Sequence, residues 1–512
     1  MIRSAPGFAG LFTPKLLTVL REGYGLADLR ADLTAGLTVA IVALPLSMAI
    51  AIASGVTPDR GLYAAIVGGF IVSALGGSRF QIGGPAGAFI ILVAATVAQH
   101  GLAGLLLATF LSGFILVAVG LLQLGSFIKY VPYPVTVGFT AGIAVIILAS
   151  QLKELLGLTL AGPEPGPIVP KLQALAAALP SASTAAVVIT LGTIAAILGV
   201  RRLRPHWPAF LIAVTLASSI TWVLGLPVET IGSRFGGIPS ALPAPAVPEL
   251  SAERIAAVLP AALSFALLGG IESLLSAVVA DSMTGRRHRS NCEIVAQGIA
   301  NIAAAIFGGI CVTGTIARTA TNVRAGARSP VAGMCHSLFL LLFMLVAAPL
   351  AAFIPLAALA ALLAVVAWNM VEKQEIVTLL RASRGDAVVL LVTFLLVVFR
   401  DLTEGIVVGF GLGALLFLHR MAQAIEIEQR GPIMEPDRPD FAADGERTRY
   451  DAALASDRDI IVYRISGAFF FGAAAAVGAA LDRIGEHPRA YVIDFSGVPI
   501  VDSTAAATIE GF

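Results

Sequence analysis

From Asp32 to about Arg420 the chain is a series of long apolar runs broken by short polar or charged stretches. Between Asp32 and Lys129 only Asp59, Arg60 and Arg79 carry a formal charge. Several runs reach the roughly 18 residues that mark a membrane-crossing helix. The pattern predicts about fourteen membrane segments, near 33–54, 62–76, 80–97, 104–123, 131–150, 183–200, 208–226, 255–280, 292–308, 310–327, 331–350, 355–371, 387–400 and 404–419. Some of these are too short to be complete spans.

The third and tenth segments differ from the rest. Each opens on a short strand-like stretch and then meets small residues or proline where a helix should run on: Phe80-Gln81-Ile82 leads into Gly83-Gly84-Pro85-Ala86-Gly87-Ala88, and Ile310-Cys311-Val312-Thr313 into Gly314-Thr315-Ile316-Ala317-Arg318-Thr319. Irregular backbone at membrane depth survives only inside protein or along a wet cavity. Seven segments separate the two breaks, as in an inverted repeat of seven plus seven, with two half-helices meeting from opposite sides near the midplane. Pro85 suits the first turn of such a half-helix. The competing reading is that the glycines only let helices pack closely.

The chain is 57% hydrophobic and 13% charged, against roughly a quarter charged in soluble domains, which excludes an ordinary soluble protein. A net charge of +1 with no basic face gives no footprint for nucleic acid. Basic residues follow even-numbered segments: Arg201, Arg202 and Arg204, then Arg286, Arg287 and Arg289, then Arg324 and Arg328, then Lys373, Arg381 and Arg384. The positive-inside rule therefore expects both termini on the cytoplasmic side. The loops at 151–182 and 227–254, poor in basic residues and rich in proline, are expected on the other side. No signal-peptide pattern opens the chain. Cys292, Cys311 and Cys335 have no metal-site or disulfide spacing and read as buried thiols. No nucleotide loop, catalytic dyad or metal-ligand cluster is present, so no enzyme, cofactor or metal centre is expected.

After Arg420 the composition changes: 24 of the 65 charged residues fall in the last 93 positions. The expected domains are a cytoplasmic N-terminal segment at 1–31, a transmembrane domain at 32–420, a linker at 421–456 and an α/β domain at 457–512. The last contains a strand at Asp459–Ile465, an alanine-rich helix near 472–484, a strand at Ala490–Phe495 and a turn into a further helix. Too little sequence follows to close the usual sheet, so this domain is expected to be incomplete as it stands.

Several short motifs resemble the SulP family of anion permeases, which includes sulfate permeases, bacterial bicarbonate transporters and prestin. They are Ala43-Leu44-Pro45-Leu46 with Gly61-Leu62-Tyr63; Val131-Pro132-Tyr133-Pro134-Val135 with Gly138-Phe139-Thr140-Ala141-Gly142; Ile271-Glu272-Ser273; Ala280-Asp281-Ser282-Met283-Thr284-Gly285; Asn291 with Glu293; and Gln297-Gly298-Ile299-Ala300-Asn301. Asp494-Phe495-Ser496-Gly497-Val498 and Asp502-Ser503-Thr504 resemble the STAS domain that family members carry. The resemblance implies an all-α polytopic membrane protein with uracil-permease-like core and gate domains, a partial α/β STAS domain, a homodimer in the bacterial cytoplasmic membrane, and an anion site between segments three and ten. It is broken at Arg318 and Glu272, where similar bicarbonate transporters place a small residue and Asp.

The candidate substrate contacts are Ser47, Gly84, Ala86, Gly87, Thr313, Gly314, Thr315, Ala317 and Arg318. Burying the Arg318 guanidinium costs several kcal/mol unless an anion relieves it, and that anion is either the substrate or Glu272. The other residues are donors to an oxyanion or packing positions. Glu272 and Ser276 are the candidate coupling-ion residues, for H+ or Na+. Ser503 reads either as an N-cap or as a regulatory phosphosite, by resemblance to STAS-containing sigma-factor antagonists. The expected function is secondary-active uptake of a small inorganic anion, sulfate first. Bicarbonate or a dicarboxylate is the close alternative, and an anion sensor signalling through STAS the distant one.

Overall fold

The computed structural model describes residues 8–125, 132–162, 164–204, 207–423, 426–430, 460–470 and 490–511. These form two units, Met1–Gly409 and Phe410–Phe512. Most of the expected 421–456 linker, the helix near 472–484 and Val131 of the fifth-segment motif lie outside the described residues.

The first unit begins with α1 (Phe8–Phe12) and α2 (Lys15–Glu22), followed by α3 (Leu26–Ala53), α4 (Pro58–Tyr63) and α5 (Gly69–Leu75). A π-turn at Ala64–Gly68 joins the last two, so the predicted second segment is a helix with one wide turn in it. Strand β1 (Gly83–Gly84) and a 3-10 turn at Gly87–Phe89 come before α6 (Ile90–Leu121). Helix α6 breaks at Gly101 (φ 65°, ψ −173°), between the predicted third and fourth segments; that positive φ is open to glycine without strain. Then come α7 (Tyr133–Leu156), α8 (Ile168–Ala178), α9 (Thr184–Leu203), α10 (Ala209–Leu224) and α11 (Ile231–Phe235).

The second half repeats the order: α12 (Ala252–Thr284), α13 (Ser290–Ile306), β2 (Thr313–Gly314), α14 (Ile316–Arg324), α15 (Val331–Ala351), α16 (Leu356–Met370), α17 (Lys373–Ala382), α18 (Arg384–Phe399) and α19 (Leu402–Gln423). Helices α8 and α17 fall in stretches that hydropathy read as connections. Both are shorter than a span, and α17 is amphipathic.

Polar caps set the ends of the long helices. Ser183, Ser251 and Ser383 accept hydrogen bonds from the backbone N–H three residues on, at the starts of α9, α12 and α18. Left-handed Gly157, Gly225 and Gly285 close α7, α10 and α12.

Two bundles result. In the core, α3 packs along α15, and α6 packs along α12 and α13. In the gate, α7 packs between α16 and α18, with α9 against α10 and α16. The α6–α13 crossing is possible because Gly113 and Gly298 meet: a Cβ on either would stand 2.5–2.6 Å from the other's carbonyl oxygen. In the α18–α19 contact Gly405 lies against Val397 and Gly409 against Thr393, while Gly411 faces open space.

In the second unit β4 (Ile460–Ser466) pairs parallel with β5 (Ala490–Gly497) and antiparallel with β3 (Glu426–Arg430). The sequence predicted the two strands β4 and β5, and missed β3. Helix α20 (Ser503–Gly511) follows. The Asp502 carboxylate accepts the Ala505 N–H at 2.8 Å, so Asp502 caps this helix and Ser503 is its exposed first residue.

Candidate functional site

Segments three and ten meet through their strands. β1 and β2 pair antiparallel, with Gly83 opposite Gly314 and Gly84 opposite Thr313, and the Thr315 N–H donates to the Ile82 carbonyl at 3.0 Å. Helix α14 has nine residues and is about 14 Å long, so it is a half-helix, as is the helical run that ends at the Gly101 break. The N–H groups of their first turns have no intrahelical acceptor and lie beyond the two ends of the ladder. Positive helix ends therefore converge from opposite directions.

Arg318 projects into this junction from α14. It is 1% exposed, and its Nη2 donates to Ser47 Oγ on α3 (3.1 Å) and to the Pro85 carbonyl (3.2 Å). Its Nε and Nη1 have no partner. The guanidinium lies over Gly84, where a Cβ would collide with Nη1. No carboxylate forms an ion pair with Arg318 among the described residues. The pairing with Glu272 that the sequence left open is thus not made. Glu272 is half-buried on α12, with Oε2 buried and unpartnered.

Other predicted donors are bonded within the protein. Thr313 donates its hydroxyl to the Gly269 carbonyl (2.9 Å), Thr315 to the Ile82 carbonyl (3.3 Å) and Ser276 to Thr319 Oγ1 (3.0 Å). The Thr313 bond ties the ladder to α12, and the Ser276 bond ties α14 to it. What is left facing the junction is the backbone around Ala86, Gly87 and Ala317. A Cβ on Gly87 would stand 3.2 Å from Ile147 Cδ1 and 3.9 Å from Met370 Sδ, so gate helices α7 and α16 press against this turn.

The sequence reading assigned no role to the polar residues that hold the junction. Asn301 on α13 donates to the Val312 carbonyl and accepts the Val312 N–H, both at 2.8 Å. Gln81 Nε2 donates to Ser273 (2.7 Å), and Asn322 Nδ2 to the Phe80 carbonyl (2.9 Å). Buried Asp32 accepts from Tyr24, from the Arg328 and Ser329 N–H groups and from the Ser329 hydroxyl. Buried Glu293 accepts from the Ser78 N–H at 3.0 Å. The available signal was an amide or carboxylate inside an apolar run, which must find backbone to bond. The three cysteines are buried and free.

A model of the sulfate permease family matches residues 29–393, and one of the STAS domain matches 452–512. The Bacillus subtilis strain 168 protein named "Putative sulfate transporter YvdB" is 40% identical over 95% of this chain and 89% of its own. The bicarbonate transporter BicA of Synechocystis is 31% identical over 94% and 85%. Among solved structures, the transmembrane domain of a cyanobacterial BicA superimposes with a TM-score of 0.69 at 32% identity, over 75% of this chain and 98% of that one. Murine Slc26a9, an anion transporter solved in the inward-facing state, gives 0.84 at 22% identity over 99% and 87%, a likeness of fold.

Proposed function

The chain belongs to the sulfate permease family, and on that premise we propose that it takes up sulfate with protons across a bacterial cytoplasmic membrane. It is a multi-pass membrane anion transporter and not an enzyme. The observation that carries the sulfate reading is the buried Arg318 guanidinium with two unpartnered nitrogens and, among the described residues, no carboxylate paired with it. Arg318 contributes +1, and the two converging helix ends about +0.5 each. The sum of roughly +2 suits a divalent oxyanion.

In this reading Arg318, Ser47 and the backbone around Gly84, Ala86, Gly87, Gly314 and Ala317 form the substrate site, and Thr313 and Thr315, whose hydroxyls are bonded to the Gly269 and Ile82 carbonyls, frame it. Ser47 holds the guanidinium until the anion replaces it as partner. Glu272 and Ser276 on α12 serve the coupling ion: Glu272 protonated leaves the full positive charge for sulfate, and ionised it lowers that charge by one. The core then carries the anion past the gate, within a homodimer whose termini are both cytoplasmic.

Bicarbonate is the second reading, favoured by the match to BicA over nearly all of its transmembrane domain. Proteoliposomes holding the full chain decide between them. Saturable uptake of labelled sulfate, driven by an inward proton gradient and weakly inhibited by bicarbonate, is expected. Strong inhibition by bicarbonate with sodium dependence would transfer the assignment, and binding without uptake would make the protein a sensor.

A further inference from the structure

A cavity of about 340 Å³ lies where α2, the start of α3, the approach to β1 and the turn from α14 into α15 meet. It shares no residue with the Arg318 junction. Glu22, Asp28, Arg79, Arg286 and Arg328 line it beside Tyr24. Three guanidinium groups thus face two carboxylates, and the wall carries a net charge of +1. Arg79 and Phe80 begin the stretch that runs into β1, and Asn322 of α14 holds the Phe80 carbonyl. The cavity therefore adjoins the root of both segments that form the junction.

Arg79 Nη2 donates to both Glu22 oxygens at 2.6 Å, and Arg328 Nη1 donates to Asp28 Oδ1 at 2.9 Å. Among the described residues nothing accepts from Arg79 Nε or Nη1, and no carboxylate pairs with exposed Arg286. Arg286 is nevertheless close enough to act on the Glu22 carboxyl. The Arg79 side chain is 11% exposed and that of Glu22 50%, so the cation is fixed in the wall while its acid lies largely in solvent. A guanidinium presents a fork of donors suited to an oxyanion, and here one nitrogen is used. An ion pair with one partner half in water contributes little, so Glu22 yields to an anion that binds better.

We propose that this cavity binds a phosphate group, with Arg79 and Arg286 as its donors and Glu22 as a tethered carboxylate that occupies Arg79 until the phosphate displaces it. A phosphate has oxygens enough to span two guanidinium groups, and a free phosphate carries more charge than a carboxylate. A soluble phosphate and the headgroup of an anionic lipid present the same oxygens to these donors. The site stands apart from the transport reading and holds whichever anion the junction carries.

The test is calorimetric titration of inorganic phosphate into the purified full chain at neutral pH, where saturable binding is expected. Arg286→Gln should weaken it about tenfold, and Glu22→Gln, which removes the competitor and one negative charge, should tighten it about tenfold. A general loosening of α2 would not give opposite signs at two neighbouring side chains. Arg318→Ala should leave the affinity unchanged. A wild type that binds no phosphate, or a folded Gln variant whose affinity fails to move in its stated direction, overturns the assignment. Binding that Arg318→Ala removes places the phosphate in the junction and overturns it as well; none of these results touches the anion-transport reading. The source is read after reconstitution in phosphatidylcholine bilayers: loss of phosphate binding when phosphatidylglycerol is added gives the site to a lipid headgroup, and retention gives it to a soluble phosphate.

Discussion

At the scale of single residues, Arg318 and Asn301 show two ways of keeping a polar group inside a membrane protein. Arg318 is half-satisfied, with Ser47 and Pro85 holding one nitrogen and two others bare. Asn301 completes the hydrogen bonding of Val312. Arg318→Ala is therefore expected to abolish saturable sulfate uptake while the protein melts at an unchanged or higher temperature, because several kcal/mol of burial cost go with the charge. A lowered melting temperature with intact uptake would make Arg318 structural. Asn301→Leu should act in the opposite sense. It leaves one N–H and one carbonyl unpaired at membrane depth, a loss of about 3 kcal/mol, read as a lower melting temperature in detergent.

Among the elements, the half-helices and the α6–α13 crossing matter most. Gly298→Val places a branched side chain against the Gly113 carbonyl and Val117; loss of folded protein on size exclusion is expected, since overpacking at a backbone contact has no rotamer to relieve it. Helix α2 makes a milder prediction. It is held to the core by Glu22–Arg79 (2.6 Å) and by Arg289 donating to Thr13 and Thr18, and Arg328–Asp28 (2.9 Å) pins the start of α3. The Arg79 hydrogen bond holds the Glu22 carboxyl below its ordinary range, and Arg328 does the same for Asp28. Their contribution is present above the ordinary carboxylate range and disappears as pH falls through the lowered values. Amide exchange at 15–22 should therefore stay slow at neutral pH and quicken only in acid below that range.

Most segments were legible in the sequence because their apolar runs end at a charge, a proline, a glycine or a capping serine. The two broken segments were legible because Gly83-Gly84-Pro85 and Thr313-Gly314-Thr315 cannot continue a helix. The π-turn at Ala64–Gly68 was not legible, since nothing in Ala-Ala-Ile-Val-Gly differs from an ordinary buried helix. Strand β3 was missed because Glu426-Ile427-Glu428 reads as a polar linker until β4 is beside it. The hydroxyl contacts of Thr313 with Gly269 and of Ser276 with Thr319 join α12 to residues about 40 positions further on in sequence, and no local pattern reports such a partner.

For the whole molecule, the membrane unit bonds its own backbone within its helices and the β1–β2 ladder. Deletion after Arg430 is expected to leave it folded, with uptake slowed and not lost; aggregation of that truncation would show that the spans depend on the second unit. The ladder also bears on how the protein is made. Gly83 finds its partner only in Gly314, more than two hundred residues later, so a chain still emerging from the ribosome holds segment three open until segment ten arrives. Loop closure over that distance is slow relative to local helix formation. The junction of segments three and ten therefore cannot exist until β2 has been made, and any interruption of synthesis before β2 yields a fragment whose helices are inserted and whose centre has not been built.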